Sequence, residues 1–438
     1  MVAFSFVVTW VVLCVGAHPM GGADDWPQFR GPGGDGVSRG AALPLTWSES
    51  QNVLWKVRTA GRGRSSPVVL GDRIWLAIAY ETPEAPEKAR ERLRGHPQRH
   101  DMDICADVRL CVLCLDRASG KQIYEAELFR VDQPDPAHKL NSFATPTPVA
   151  EPGRLYCDFG EMGTACVEAE TGKVLWKQRL GVYHMVGPGS SPVLYKDLLM
   201  LVRDGCDKQY VAALDKQTGQ TVWKADRPPI EAPPDARKAF STPLVIQADG
   251  ATQMIVPGAH WVVSYDPATG REIWRVRHGK GFSLAPRPVY GQGMVYICTG
   301  CHVAQLWAIR VDGRGDVTNT HVVWKATEEI PIMSSPLLVG REIYSVSDRG
   351  IVFCLDALTG KVHWRYRAPG TYLASPLYAD GRVYFFNRDG KTTVLRAGTE
   401  LEMLAENQLE GSVTASPAVA GNAILLRTDS HLYCIGKR

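Results

Sequence analysis

Apolar residues along this chain fall into short runs of Val, Ile, Tyr and Trp, broken at Gly, Pro and Asp. Within a run such as "GMVYICTG" (293–300) successive side chains point to opposite faces, so the pattern predicts strands almost throughout. Two stretches depart from it. Residues 2–17, "VAFSFVVTWVVLCVGA", are apolar and uncharged, and residues 81–104 are polar, with six acidic and five basic side chains.

The strand pattern is organised by a repeat. Its cleanest copy is "SSPLLVGREIYSVSDRGIVFCLDALTGKVHW" at 334–364. The opening Pro recurs at Pro67, Pro146, Pro192, Pro243, Pro286, Pro376 and Pro417, which with Pro336 makes eight units. Proline lacks an N–H and is tolerated where a strand begins. Later in each unit an acidic residue precedes a glycine by four: Asp116 and Gly120, Glu168 and Gly172, Asp215 and Gly219, Asp266 and Gly270, Asp356 and Gly360. This is turn chemistry, in which the carboxylate holds backbone ahead of it and glycine supplies positive φ. Four residues further comes an aromatic: Tyr124, Trp176, Trp223, Trp274 and Trp364. The fifth unit lengthens its turn and keeps Trp324; the seventh has Leu404 at the aromatic place.

Most units are 40–51 residues apart, a period that means a propeller or a solenoid. The ends of the chain decide between them. The last unit, "ASPAVAGNAILLRTDSHLYCIGKR", has three strands and lacks the aromatic one, while "NVLWKVR" at 52–58, with Trp55, is an aromatic strand with no unit before it. Pairing them closes a ring and removes the open edge of an array. The expected fold is all-β: an eight-bladed β-propeller of four-stranded antiparallel blades over residues 52–438, with an extension at 24–51 and the polar insert 81–104 in blade one.

These units resemble the pyrroloquinoline-quinone (PQQ)-type propeller repeat with its tryptophan-docking motif, found in quinoprotein alcohol dehydrogenases and in BamB-type outer-membrane assembly lipoproteins. "WPQFRGPGGDGVS" (26–38), "NSFATPTPV" (141–149), "ALDKQTGQTVWK" (213–224), "YDPATGREIWRVR" (265–277) and "LDALTGKVHW" (355–364) are similar to an exported subgroup abundant in planctomycetes and related bacteria. The resemblance spans roughly 25–438. It implies the propeller, and it implies little about activity, because fold does not fix function.

Three kinds of chemistry bear on these residues. A quinoprotein dehydrogenase holds PQQ with calcium beside a catalytic Asp, and many cover the quinone with a vicinal Cys-Cys pair. No Cys-Cys pair occurs here, and the repeat Asp residues belong to turns. Cys298-x-x-Cys301-His302 has the spacing that attaches haem c, yet it falls on a strand and the hairpin loop after it. With His302 the two cysteines also suit zinc, without an obvious fourth ligand. "RGD" at 314–316 lies in the long turn of blade five, where Asp316 is expected to brace the turn; His96 and His100 are separated by Pro97, against a helical metal pair. No nucleophile elbow or phosphate loop is present. No cofactor and no metal are expected; PQQ with calcium, or haem c at Cys298, Cys301 and His302, is the alternative.

In a propeller the loops entering the innermost strands ring a central channel. Residues just ahead of the opening prolines are therefore the ligand-binding candidates: Arg64, Ser65, Asn141, His184, Lys238, Phe282 and Tyr372. Arg64, His184 and Lys238 tilt that mouth positive, toward an anionic ligand. The net charge of +3 shows no broad basic field and no nucleic-acid partner.

The run at 2–17 is too short for a membrane span, and small residues after it suit cleavage, so residues 1–23 read as a signal peptide without a basic n-region. The expectation is a monomeric, non-catalytic scaffold, exported to the periplasm or cell envelope and binding an envelope protein or a small anionic ligand, with a redox protein as the alternative. Removing Cys14 with the leader leaves ten cysteines; Cys157 and Cys166, across one hairpin, are the best candidates for a disulfide, against a reading as small buried hydrophobes.

Overall fold

The computed structural model describes residues 25–248 and 250–437; the leader, with Cys14, lies outside them. Eight sheets stand around an axis, each built of four antiparallel strands from the centre outward, with a short fifth strand added to blade four. Blade two, for example, runs Val149–Glu151, Arg154–Asp158, Thr164–Glu168, Val174–Gln178. Blade eight takes its outer strand, Val53–Arg58, from the start of the propeller and pairs it with His431–Ile435, which is the predicted closure.

Every innermost strand begins directly after a proline. For blades two and five this corrects the sequence register by two residues: the prolines in place are Pro148 and Pro288, before strands Val149–Glu151 and Val289–Gly291, in place of Pro146 and Pro286. Both segments carry Pro-x-Pro, and strand facing repeats every two residues, so the pattern alone reads the same either way.

The turn and the aromatic form one joint. Asp215 Oδ1 accepts hydrogen bonds from the Thr218 amide and hydroxyl, both at 2.8 Å, and the Gly219 amide donates to the Asp215 carbonyl. Gly219, at φ 74°, then lies flat under the ring of Trp176 from the preceding blade; a Cβ there would sit 2.6 Å from that ring. The Trp176 indole N–H donates to the Lys216 carbonyl in the same turn at 3.0 Å. The same dock joins Trp55 to the turn at Gly120, Tyr124 to Gly172, Trp223 to Gly270 and Trp324 to Gly360. A β-bulge at the residue immediately before each aromatic sets its register; in blade seven the bulge falls on Leu404 and the aromatic's register on Ala405.

The cysteines described are all free. Cys157 pairs across the hairpin with Ala165, and Cys166 with Tyr156, so their thiols leave opposite faces of blade two and no disulfide joins them. Burial raises both thiol pKa values.

Candidate functional site: a cup at the mouth of the channel

The extension is part of the propeller. Trp26 pairs with Val69 of blade one, and the Ala150 amide of blade two donates to the Pro27 carbonyl. The chain then crosses the channel to blade seven, where Val37 bridges to Tyr378. Between these anchors two buried guanidinium groups fix the strap. Arg30 donates to the carbonyls of Asp35 (2.5 Å), Pro336 (2.9 Å) and Pro376 (3.4 Å), and Arg287 to those of Phe29 (2.5 Å) and Pro243 (3.2 Å). Gly34 and Gly36 lie against these side chains; a Cβ at Gly34 would meet the Arg287 guanidinium at 2.5 Å. The strap gives the channel a floor, with Phe29 facing the space above it. "WPQFRGPGGDGVS" therefore supplies both the floor and one of the groups that hold it.

Above the floor runs a ring of hydroxyls from the residues just ahead of the inner prolines. The amide of Ser66 donates to Thr147 Oγ1, Thr147 to Ser191 Oγ, Ser191 to Thr242 Oγ1, then Arg287 to Ser335 Oγ, Ser335 to Ser375 Oγ and Ser375 to Ser416 Oγ, all at 2.9–3.0 Å. The hydroxyls of Thr147, Ser191, Thr242, Ser335, Ser375 and Ser416 each accept from a neighbouring blade, so their own protons are available to donate. Higher still the walls are apolar: Val186, Phe240, Ile332, Met333 and Leu373, with Leu140 at the rim. The resulting cup has a volume of about 450 Å³, within the usual range for small-molecule sites.

Three of the residues expected at the mouth line this cup: Arg64, Asn141 and Lys238. Lys238 Nζ is ion-paired to Asp235, and the Asn141 amide is spent on the carbonyls of Val186 and Pro188, both at 3.0 Å. Arg64 donates to the Lys139 carbonyl at 2.8 Å. The other four lie elsewhere. Ser65 is buried between the Ala77 amide and Arg427. His184 Nδ1 meets Glu161 Oε2 at 2.5 Å, beneath Phe240. Phe282 is stacked at the rim between Lys238 and His302, 5.3 Å from the imidazole ring. Tyr372 turns away from the axis into the core between blades six and seven, and Leu373 takes the wall position. In each case alternation along an irregular loop, which sequence does not set, decides which neighbour faces the axis.

The insert extends the hairpin between strands Arg73–Pro83 and Cys105–Asp116 at this same end. It forms a short helix, Pro86–Arg92, tied down by Arg92 to Glu84 and to the carbonyls of Cys105 and Pro134. Its following loop leans over the mouth, where Gln98 lines the cup.

The Cys-x-x-Cys-His stretch is the corresponding hairpin of blade five. Cys298 is 2 % exposed and packs in the core between blades five and six, while the Cys301 amide bonds the Phe282 carbonyl and its side chain reaches the cup. The two thiols open into different surroundings, which does not fit one porphyrin edge bridging both, and burial raises the pKa of each. Among the described residues no group of three His, Cys, Asp or Glu side chains could hold a metal ion. The one carboxylate lining the cup, Asp348, accepts from the Ile332 and Met333 amides, so the donor set does not fit calcium with a quinone either. Asp316 of "RGD" accepts from the Thr318 amide and hydroxyl and braces its turn.

The sequence matches the family described as outer membrane protein assembly factor BamB over residues 111–300 and 258–437. The chain belongs to that family. A curated BamB from Legionella pneumophila (strain Paris) is 23% identical over 218 residues, 45% of this chain and 51% of its own length, so the chain spans about half of that relative. Two solved structures share the fold: BamB from Moraxella catarrhalis (13% identity, TM-score 0.58, 88% of this chain and 97% of that one) and quinohemoprotein alcohol dehydrogenase from Comamonas testosteroni (10%, 0.64, 95% and 81%). At these identities they establish the propeller alone. Among the described residues of this BamB-family chain, no helix is long and apolar enough to cross a membrane. The residues that sequence reading missed are those of the floor and wall, Phe29, Arg30, Phe240, Arg287 and Leu373. The one available signal was Arg287, the only non-hydroxyl residue ahead of an inner proline.

Proposed function

We propose that this chain is an exported, non-catalytic binding propeller of the cell envelope, and that its floored cup is where it receives a small anionic ligand or an anionic group of an envelope protein. The observation that carries the reading is the cup itself: a floor held by main-chain carbonyls, a ring of hydroxyl donors and an apolar wall make a place to hold a molecule. His184 and Glu161, paired nearby, lie outside the lining of the cup. The relatives named for outer-membrane assembly support an envelope setting with a protein partner.

The test is to purify the protein from its native envelope and record its absorption spectrum beside its intact mass. A colourless protein at the mass of the processed chain is the expected result. A Soret band with one haem of added mass, or a quinone-like absorption, overturns it in favour of redox chemistry.

A further inference from the structure

Arg64 lines the mouth of the cup and Arg388 stands on a neighbouring loop, and the protein neutralises neither. Arg62, the neighbouring arginine, is taken up by Asp103 at 2.8 Å and Glu81 at 3.3 Å, and Lys238 by Asp235. Arg64 and Arg388 have no such partner: among the described residues no carboxylate lies within ion-pair distance of either guanidinium, and each keeps a buried nitrogen, Arg64 Nη1 and Arg388 Nε, without a hydrogen-bond acceptor. Arg388 sits on the loop after strand Arg382–Phe386, and its amide is bonded to the Thr371 carbonyl beside wall residue Leu373. The two cations feel each other, since burial first, then Arg62 and Arg388, hold the Arg64 pKa below its ordinary range. Two like charges left together at the edge of an apolar space destabilise the empty site, and an anion between them relieves both.

Resting on the cup as the binding site, we infer that its ligand is a small amphipathic acid, with a single oxyanion head at Arg64 and Arg388 and an apolar body against Phe240, Ile332, Met333 and Leu373. The order of surfaces along the axis sets this class. The unpaired cations lie at the rim and the wall below them is mainly apolar, its carboxylate, Asp348, being held by the Ile332 and Met333 amides. The floor is closed, so the body ends at the hydroxyl ring, where an acceptor oxygen on the far end of the ligand would find donors. A polyanion has no second pair of free cations to meet, and a neutral lipid leaves the arginines as they are.

Octanoate titrated calorimetrically into the full folded protein is the probe, with 1-octanol and inorganic phosphate as its apolar and anionic halves. Octanoate is expected to bind one to one, and each half at least tenfold more weakly. Arg64→Gln and Arg388→Gln should each weaken octanoate about tenfold by removing a charge-assisted contact. Arg396→Gln, outside the cup and paired with Glu402, should change it by less than about twofold. Absence of saturable octanoate binding, equal affinity for octanol or phosphate, or a loss in Arg396→Gln matching that in Arg64→Gln overturns the inference. Should an arginine variant unfold, the three-ligand comparison on the natural sequence still decides. A coloured protein in the spectroscopic test defeats the binding-propeller reading; a colourless one without octanoate selectivity defeats only this assignment.

Discussion

The junction of blades two and three and that of blades four and five join equivalent sheets by different means. At the first, Trp176 lies on Gly219 and bonds outward to the neighbour's turn at Lys216. At the second, the fifth unit has no short turn to receive the ring. Trp274 is instead wholly buried and donates at 2.8 Å to Gln253 Oε1 in its own blade. Gln253 in turn donates to the Val311 carbonyl of blade five at 3.0 Å and accepts from Ser264, so a satisfied buried amide replaces the glycine turn. The long loop returns as a two-residue strand, Gly315–Asp316, parallel to the outer strand of blade four. The comparison teaches that the repeat preserves an interface rather than a set of residues.

The largest effect expected is for Trp274→Ala, which removes a fully buried ring and a donor to Gln253 and should cost about 4 kcal/mol in denaturant unfolding. A loss of under about 1 kcal/mol would mean that the substitute joint carries little. Next comes a matched pair of glycines, both at positive φ. Gly219→Ala must strain the backbone and push Trp176 aside, costing about 3 kcal/mol, whereas Gly315→Ala, with nothing within 4 Å of the new carbon, should cost about 1 kcal/mol. Equal losses would show that backbone conformation alone fixes the turn glycines.

A smaller, pH-dependent difference belongs to the second junction. His278 donates to the Gly258 carbonyl through Nε2 at 2.9 Å and meets the edge of Trp307; burial brings its pKa down to about 4. The unfolded chain takes up a proton near the ordinary value of 6.5 and the folded one does not, so stability should fall as the pH drops from about 6.5 toward 4. In His278→Gln the midpoint of urea unfolding should decline less over that window. The smallest effect is in the turns: Asp215→Asn should weaken stability slightly more than Asp266→Asn, because Asp215 binds both the amide and the hydroxyl of Thr218 while Asp266 Oδ1 meets the Ala268 amide.

Blade number, closure and docking aromatics were legible in sequence because each rests on local rules that repeat: proline before a strand, a carboxylate-braced turn, a ring at fixed offset. Where two rules competed, as in Pro-x-Pro, the register slipped by one strand period. The cup was legible only in part. Arg64, Asn141 and Lys238 could be placed by counting back from a proline, but Tyr372 and Leu373 are adjacent, and packing between blades decides which one faces inward. The floor left one sign in the sequence, Arg287 among the hydroxyl residues ahead of the inner prolines. Arg30 is bonded to Pro336 and Pro376, more than three hundred residues away, and no local pattern encodes such a contact.

That distance has a consequence for how the molecule is made. The strap and the strand Val53–Arg58 precede every blade in the chain, yet their partners in blades five to eight are synthesised last. Until blades six to eight arrive, the segment beyond Pro27 has nothing to cross toward, and its apolar Trp47 and Val53 wait uncovered. Assembly is thus governed by non-local pairing, with slow, late and cooperative completion. A nascent molecule would resist protease only when the whole ring has locked, in one step and not blade by blade.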